Sequence, residues 1–141
     1  MVATHYLLDS DIVITMLRDG VDRTGLRSRM LKVGLDRCHI SEISMAELAS
    51  GASKMASERG YFELSFVRTI LDAVPFGGMH SKSSEIFGNI KSDLEKKGTP
   101  LEDMDILIAA TAIDRNYILV AHNTSHFKRI PGLKIEDWLS A

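Results

Sequence analysis

The clearest pattern of apolar and polar positions lies between residues 104 and 121. Apolar residues recur there at intervals of three and four positions, which predicts an amphipathic helix over residues 104–116. These apolar residues are Ile106, Leu107, Ala109, Ala110 and Ile113. The following segment, YILVA at 117–121, is almost continuously apolar, which is typical of a strand covered on both faces. We therefore expect a helix that leads into a central, buried strand.

The rest of the chain alternates between short β-type segments and helical patterns. Further strands are predicted at residues 5–9, 37–41, 73–76 and 134–137, and Trp138 is expected to anchor the end of the last one. Helices are predicted to begin near residues 10, 24, 44, 62 and 81, and Phe66 is among the residues expected to face inward. This alternation is typical of an α/β sandwich with a mainly parallel central sheet. We expect one domain over residues 1–141.

Composition and charge narrow the class of protein only slightly. The 141 residues are 45% hydrophobic and 26% charged, with a formal net charge of −2, which is ordinary for a globular protein. Cys38 is the only cysteine, so neither a disulfide framework nor a cysteine zinc site is expected. We see no signal peptide and no run long enough to span a bilayer, so a cytoplasmic protein without a membrane partner is the expectation.

Basic residues are nevertheless unevenly distributed. One group lies within twenty residues near the start, and a second closes the chain. They are Arg18, Arg23, Arg27, Arg29, Lys32 and Arg37, followed by Lys128, Arg129 and Lys134. Such groups form either a solvated face or a surface that holds a nucleic-acid backbone.

Acidic residues follow the predicted strands at the points where ligands bind in parallel sheets. Asp9 and Asp11 come just after the first strand, and Glu47 lies near the start of the helix after the second. Asp105 begins the helix that feeds the strand at 117–121. Because ligands bind beyond the carboxyl ends of parallel strands, these acids are expected to converge on one rim, near His122, Asn123 and His126.

Three carboxylates held close together repel one another unless a cation neutralises them or some are protonated. All-oxygen ligands suit Mg²⁺ or Mn²⁺, which can activate a water and stabilise charge on a phosphodiester. The pattern of Asp9, Glu47 and Asp105 therefore predicts metal-dependent hydrolysis of a nucleic acid. Two of these acids also have plain structural interpretations. Asp105, with Asp103, is favoured at a helix N-terminus, and Glu47 has the spacing of a capping box with Ser44.

Other classes of protein remain open at this point. Asp9-Ser10-Asp11 resembles the start of haloacid-dehalogenase-type phosphatases, in which the first Asp is a nucleophile and the second an acid/base. A receiver-like or other partner-binding module could share the same sheet, although Phe76, Gly77 and Gly78 stand where a receiver needs its acceptor Asp. His5 and His39 lie on strand-like runs and are expected to be structural.

Four segments in order resemble a PIN-domain ribonuclease, specifically a VapC-type toxin of a type II toxin–antitoxin pair. They are YLLDSDIV, ISEISMAELASG, LEKKGTPLEDMDILIAATAI and LVAHNTSHFKRIPGLKIEDW. The resemblance covers nearly the whole chain and implies a flavodoxin-like parallel sheet with a rim of acids that binds Mg²⁺ or Mn²⁺. It also implies a homodimer, inhibition by a small VapB-type antitoxin whose tail occupies the site, and cleavage of RNA, in several relatives within the anticodon stem-loop of initiator tRNA.

By position, the resemblance makes Asp9, Glu47 and Asp105 the three recurring acids, with Asp9 and Asp105 as direct metal ligands. Asn123 matches the fourth, more variable position, and His126 stands where some relatives have an acid. The chain departs from the family at Asp11, where Asn is more usual, at Ala121, where Thr or Ser is common, and in lacking a fourth carboxylate. A catalytically silent PIN-like binding domain is the alternative within the family.

The resulting hypothesis is a one-metal hydrolysis of RNA. One Mg²⁺, held by Asp9 and Asp105 with Glu47 directly or through water, activates a water for in-line attack on a phosphodiester. Asn123 orients a ligand water or the substrate.

Overall fold

The computed structural model describes residues 2–54 and 59–139, in which five parallel strands form one sheet. The strands are β1 (Tyr6–Leu8), β2 (Cys38–Ser41), β3 (Asp72–Val74), β4 (Ile118–Val120) and β5 (Ile135–Glu136). Their spatial order is β3-β2-β1-β4-β5, and every neighbouring pair is parallel. The predicted α/β sandwich with a central parallel sheet is confirmed.

Six α-helices connect these strands in the described part of the chain. They are α1 (Ser10–Arg18), α2 (Leu26–Val33), α3 (Glu42–Lys54), α4 (Arg59–Ile70), α5 (Ser83–Lys96) and α6 (Asp103–Arg115). Single 3-10 turns at Leu35–Arg37 and Phe127–Arg129 complete the regular structure. No described helix combines the length and the apolar character that crossing a bilayer requires.

The core has two halves, one on each face of the sheet, because successive strand residues point to opposite sides. Leu8, Ile40 and Val120 lie on the face covered by α1 to α4, where they pack with buried residues such as Met16 and Met45. Leu7 and Leu119 lie on the other face, under α5 and α6, with Leu94, Ile106 and Phe127 among their buried neighbours. The two helical layers hold the sheet between them, with the carboxyl ends of its strands at one edge. Trp138, 8% exposed, anchors the chain after β5 as predicted.

The face that α4 turns inward differs from the prediction. Phe66, expected in the core, is 38% exposed, whereas the adjacent Val67 is completely buried. A shift of one position means that the buried face of α4 is rotated by about 100 degrees from the predicted face. The apolar pattern therefore predicted the helix but not its orientation.

A chain of hydrogen bonds crosses the opposite edge of the sheet, where the strands begin. His39 of β2 lies 3.1 Å through Nδ1 from the Asp72 carboxylate and 2.8 Å through Nε2 from Nδ1 of His5. Because a carboxylate only accepts, His39 donates from Nδ1 and accepts from His5 at Nε2. The Tyr117 ring stacks on both imidazoles, with centroids 4.7 Å from His39 and 5.3 Å from His5. Both histidines therefore serve the structure, as the sequence indicated.

Because His39 is buried, the stability of the fold depends on pH. Burial lowers the pKa of His39 below its usual value of 6.5. Contact with Asp72 opposes this decrease, whereas the charges of His5 and Arg115 lower the pKa further. As the pH falls below 6.5 the unfolded chain takes up a proton that the folded chain resists, so stability decreases. We expect His39→Gln to lose less unfolding free energy than the wild type between pH 7 and pH 5 in urea titrations followed by circular dichroism. An equal loss in both proteins would contradict this.

Candidate active site

Asp9 occupies the centre of the carboxyl edge of the sheet, directly after β1. Its backbone N–H donates to the Val120 carbonyl of β4 at 2.9 Å, which continues the pairing of the two strands by one residue. Its carboxylate accepts from the Ser10 backbone N–H at 2.9 Å, so Asp9 itself is the N-cap of α1. The residue is only 9% exposed. Asp11, in the first turn of α1, brings a second carboxylate to the same edge.

Glu47 reaches the site from the second turn of α3. The capping-box interpretation of Ser44 and Glu47 is wrong, because α3 begins at Glu42 and Ser44 is already inside it. The cap comes from Ser41, whose hydroxyl accepts from the Ser44 backbone N–H at 3.0 Å. The side chain of Ser10, at the start of α1, instead lies near the Glu47 carboxylate and lowers its pKa against the effect of burial.

Two acids in the first turn of α6 have different surroundings. Asp103 forms an ion pair with Lys91 of α5 at 2.8 Å, and its side chain is 58% exposed. Asp105 lies 3.6 Å from Nε2 of His126, in the loop after β4, and its side chain is 31% exposed. The helix-terminus interpretation therefore suffices for Asp103, whereas Asp105 belongs to the rim.

The four rim acids lie near enough to one another to influence each other's pKa. Burial, followed by the charges of Asp11, Glu47 and Asp105, raises the pKa of Asp9 to about 7, although the hydrogen bond from the Ser10 backbone opposes the rise. Burial also raises the pKa of Glu47, with Asp105 as the strongest charged neighbour. For Asp105, burial raises the pKa and the charge of His126 opposes the rise. Asp9, Glu47 and Asp105 therefore lie at one edge of the sheet within range of electrostatic interaction, together with Asp11, and their joint role as a site stays a prediction.

The chemistry of this donor set fits a hard divalent cation. Carboxylate oxygens are the ligands that Mg²⁺ and Mn²⁺ prefer, and Mg²⁺ takes only one or two carboxylates while keeping several waters. Across residues 2–54 and 59–139, no three His, Cys, Asp or Glu side chains are already gathered closely enough to enclose an ion. The rim therefore supplies oxygen atoms of the type that these ions bind, from acids that the structure does not gather into a closed group.

The loop after β4 brings a histidine to the acids. His126 pairs with Asp105, and its ring lies 4.3 Å from that of Phe127 between centroids. Sequence reasoning gave no partner for His126, because the two residues are twenty-one positions apart and no local pattern connects them. Asn123 lies exposed in the same loop, where its Oδ1 accepts from the Ser125 hydroxyl at 3.3 Å. The role of Asn123 in catalysis stays a prediction.

A groove of about 380 Å³ adjoins the site between α1, α3 and α4. Its walls include Ile14, Leu17, Leu48 and Leu64, and Glu47 of the rim also lines it. Apolar walls beside a row of acids suit a partner segment that carries apolar side chains. No local pattern in the sequence indicates this groove, because its walls come from three helices.

Comparison with known proteins agrees with this architecture. The PIN domain family model matches residues 6–133. Ribonuclease VapC2 of Rickettsia felis is 32% identical over 134 residues, which cover 94% of this chain and 97% of that protein. The tRNA(fMet)-specific endonuclease VapC of Salmonella typhimurium is 31% identical, with the same coverage.

Solved structures give the same result. The crystal structure of VapBC2 from Rickettsia felis, bound to a DNA fragment from its promoter, contains a chain with a TM-score of 0.85 and 30% identity. The alignment covers 96% of this chain and 99% of that one. The DNA-bound VapBC structure from Salmonella typhimurium also has a TM-score of 0.85, with 29% identity. The sequence and the fold place this chain in the PIN-domain family, among the VapC ribonucleases.

Proposed function

We propose that this chain is the toxin of a VapBC-type toxin–antitoxin pair and acts as a metal-dependent endoribonuclease that inhibits translation. The convergence of Asp9, Asp11, Glu47 and Asp105 at the carboxyl edge of the sheet is the observation that carries the proposal. A buried acid whose pKa is raised to about 7 by burial and by three other acids is characteristic of a functional site rather than of a stable surface. Membership among the VapC ribonucleases disfavours the phosphatase alternative.

Mg²⁺ or Mn²⁺ is the cofactor that this site would take. Asp9 and Asp105 would hold the ion, and Glu47 would contribute directly or through a water. When bound, the ion lowers the pKa of a coordinated water and stabilises the negative charge that develops on a phosphodiester. His126 lies against Asp105 and favours its ionised form, which is the form that binds a cation. Asn123, at the end of β4, would orient a water or the substrate.

RNA is the proposed substrate, and tRNA is the first RNA to test. Relatives from Salmonella typhimurium and Shigella flexneri are named tRNA(fMet)-specific endonucleases. An acidic rim alone would repel RNA, so basic residues around it must hold the backbone. Several of the cations in the sequence are committed elsewhere in the fold: Arg29 pairs with Glu136, and Arg27 donates to the Met16 carbonyl.

The proposed partner is a VapB-type antitoxin, and a homodimer is the proposed assembly. The groove between α1, α3 and α4 would receive an apolar segment of the antitoxin, whose tail would cover the rim beside Glu47. An occupied groove would exclude RNA from the acids, which accounts for inhibition without any change in the acids themselves.

The decisive experiment incubates purified, antitoxin-free protein with total RNA and with bulk tRNA, in Mg²⁺, in Mn²⁺ and in EDTA. We expect fragments of discrete length with either metal and none with EDTA. RNA that stays intact under all conditions, although the protein binds it, would support the catalytically silent PIN-like alternative instead.

A further inference from the structure

A single 3-10 turn follows the rim loop and has an inner and an outer side. The Phe127–Arg129 turn is closed by backbone hydrogen bonds from Arg129 to His126 at 3.2 Å and from Ile130 to Phe127 at 3.1 Å. In 3-10 geometry, side chains three positions apart lie on the same side. Phe127 and Ile130 form the inner side, since they are 0% and 3% exposed in the core under α5 and α6.

The same geometry places Arg129 on the side of the turn that carries His126. His126 faces the rim, because its Nε2 lies 3.6 Å from the Asp105 carboxylate. Arg129 follows three positions later, about 6 Å along the turn axis at roughly 2 Å per residue. Lys128 lies between them in sequence and projects from a different side of the turn. Arg129 therefore shares a side of the turn with His126, and the buried residues on the other side of the turn hold its backbone in place.

Among the residues that the structure describes, Arg129 also has no side-chain partner, in contrast to the cations that form ion pairs within the fold. Lys91 pairs with Asp103, Arg29 with Glu136, and Arg59 with Glu63. Within residues 2–54 and 59–139, the side chain of Arg129 takes part in no ion pair or hydrogen bond, and the residue is exposed. An exposed guanidinium without a partner in the described part of the chain, on the side of the turn that carries His126, can bind a phosphate, which its planar fork contacts in a bidentate manner.

We propose that Arg129 binds a phosphate of the RNA strand beside the bond that is cut, and so holds the substrate against the acids. The inference rests on the proposed ribonuclease function and names the residue that positions its substrate. Substrate contact by one arginine offsets the repulsion between the RNA backbone and the rim. His126 lies between this phosphate site and Asp105. One turn of the chain therefore carries both the proposed phosphate ligand, Arg129, and the residue that contacts Asp105.

The test compares Arg129→Ala with Lys128→Ala, which removes the same charge from the same turn on a different side. We expect Arg129→Ala to raise KM for RNA by about 10-fold with kcat changed by less than about threefold, since the lost contact forms before the reaction. Lys128→Ala should raise KM by less than about threefold, and Arg129→Lys should recover part of the loss because the charge remains. Equal unfolding free energies of the variants would exclude a folding defect.

Binding gives a second measurement that does not require cleavage. In an Asp105→Asn background, adding Arg129→Ala should weaken binding of an RNA oligonucleotide and reduce the slope of log Kd against log salt by about one. If the wild type cleaves RNA but Arg129→Ala matches Lys128→Ala in KM and in this slope, the Arg129 proposal is wrong and the ribonuclease stands. If the wild type leaves RNA intact while the slope still changes, the ribonuclease is wrong and Arg129 keeps its role in binding.

Discussion

Replacing Asp105 with Asn is expected to reduce metal-dependent RNA cleavage by about 10³-fold or more, since losing even an indirect partner of a metal ligand typically costs 10–100-fold. The amide keeps the size of the side chain but gives a neutral and weaker ligand. Cleavage of tRNA would be followed at saturating Mg²⁺ in gels, with single-turnover rates to separate chemistry from binding.

Asp103→Asn is the matched control, because the chain offers a second acid two positions earlier in the same helical turn. The substitution makes the same change in charge, but Asp103 pairs with Lys91 on the outside of α5 and lies away from the rim. We expect its activity to stay within about threefold of the wild type, as for a change outside the site. Similar activity in the two variants would remove Asp105 from the site.

Replacing Asp9 with Asn is expected to stabilise the metal-free protein at pH 8 while abolishing its activity. The pKa of the buried Asp9 carboxyl rises from 3.8 to about 7, so the folded state resists an ionisation that the unfolded chain undergoes freely. At about 1.4 kcal/mol per pKa unit this corresponds to an upper limit of about 4 kcal/mol, and we expect a gain of about 2–4 kcal/mol.

The pH dependence of this gain follows from the direction of the shift. Below pH 3.8 both states carry a protonated Asp9, and the variant has no advantage. As the pH rises through about 7, the wild type loses stability relative to Asp9→Asn, and above that pH the difference stays constant. Urea unfolding in EDTA at pH 4 to 9 measures the difference. A difference that does not change with pH would show that the pKa of Asp9 is not raised in the folded protein.

Mg²⁺ should reverse the order of stability. An ion that binds the folded wild type stabilises it by mass action, and a variant that lacks a ligand gains less. Equal shifts of the melting temperature in Mg²⁺ would indicate that the ion binds without Asp9.

The sequence predicted the elements of the fold far better than their arrangement. The apolar run at 117–121 gave β4, and the spacing of three and four gave α6, because both signals are local. The spatial order of the strands depends on pairing between distant segments, such as Leu7 with His39 and Leu119, which no local pattern encodes.

The site was predicted in part for the same reason. Acids at the carboxyl ends of strands are visible in a sequence once the sheet is assumed parallel, so the position of Asp9, Glu47 and Asp105 at one edge could be predicted, whereas their roles stay predictions. The cap at Ser41 was missed because its hydroxyl belongs to the last residue of a strand, and Ser44 with Glu47 matched a known motif. The contact of His126 with Asp105 requires the loop after β4 to fold back, which only the structure shows.

The two edges of the sheet respond to protons in opposite ways. Below pH 6.5 acidification weakens the fold through His39, whereas over the range from 3.8 to about 7 it strengthens the fold through Asp9. These two contributions have opposite signs where their pH ranges overlap, so each partly offsets the other in the intact protein. Replacing either residue alone would leave the contribution of the other without this opposing term.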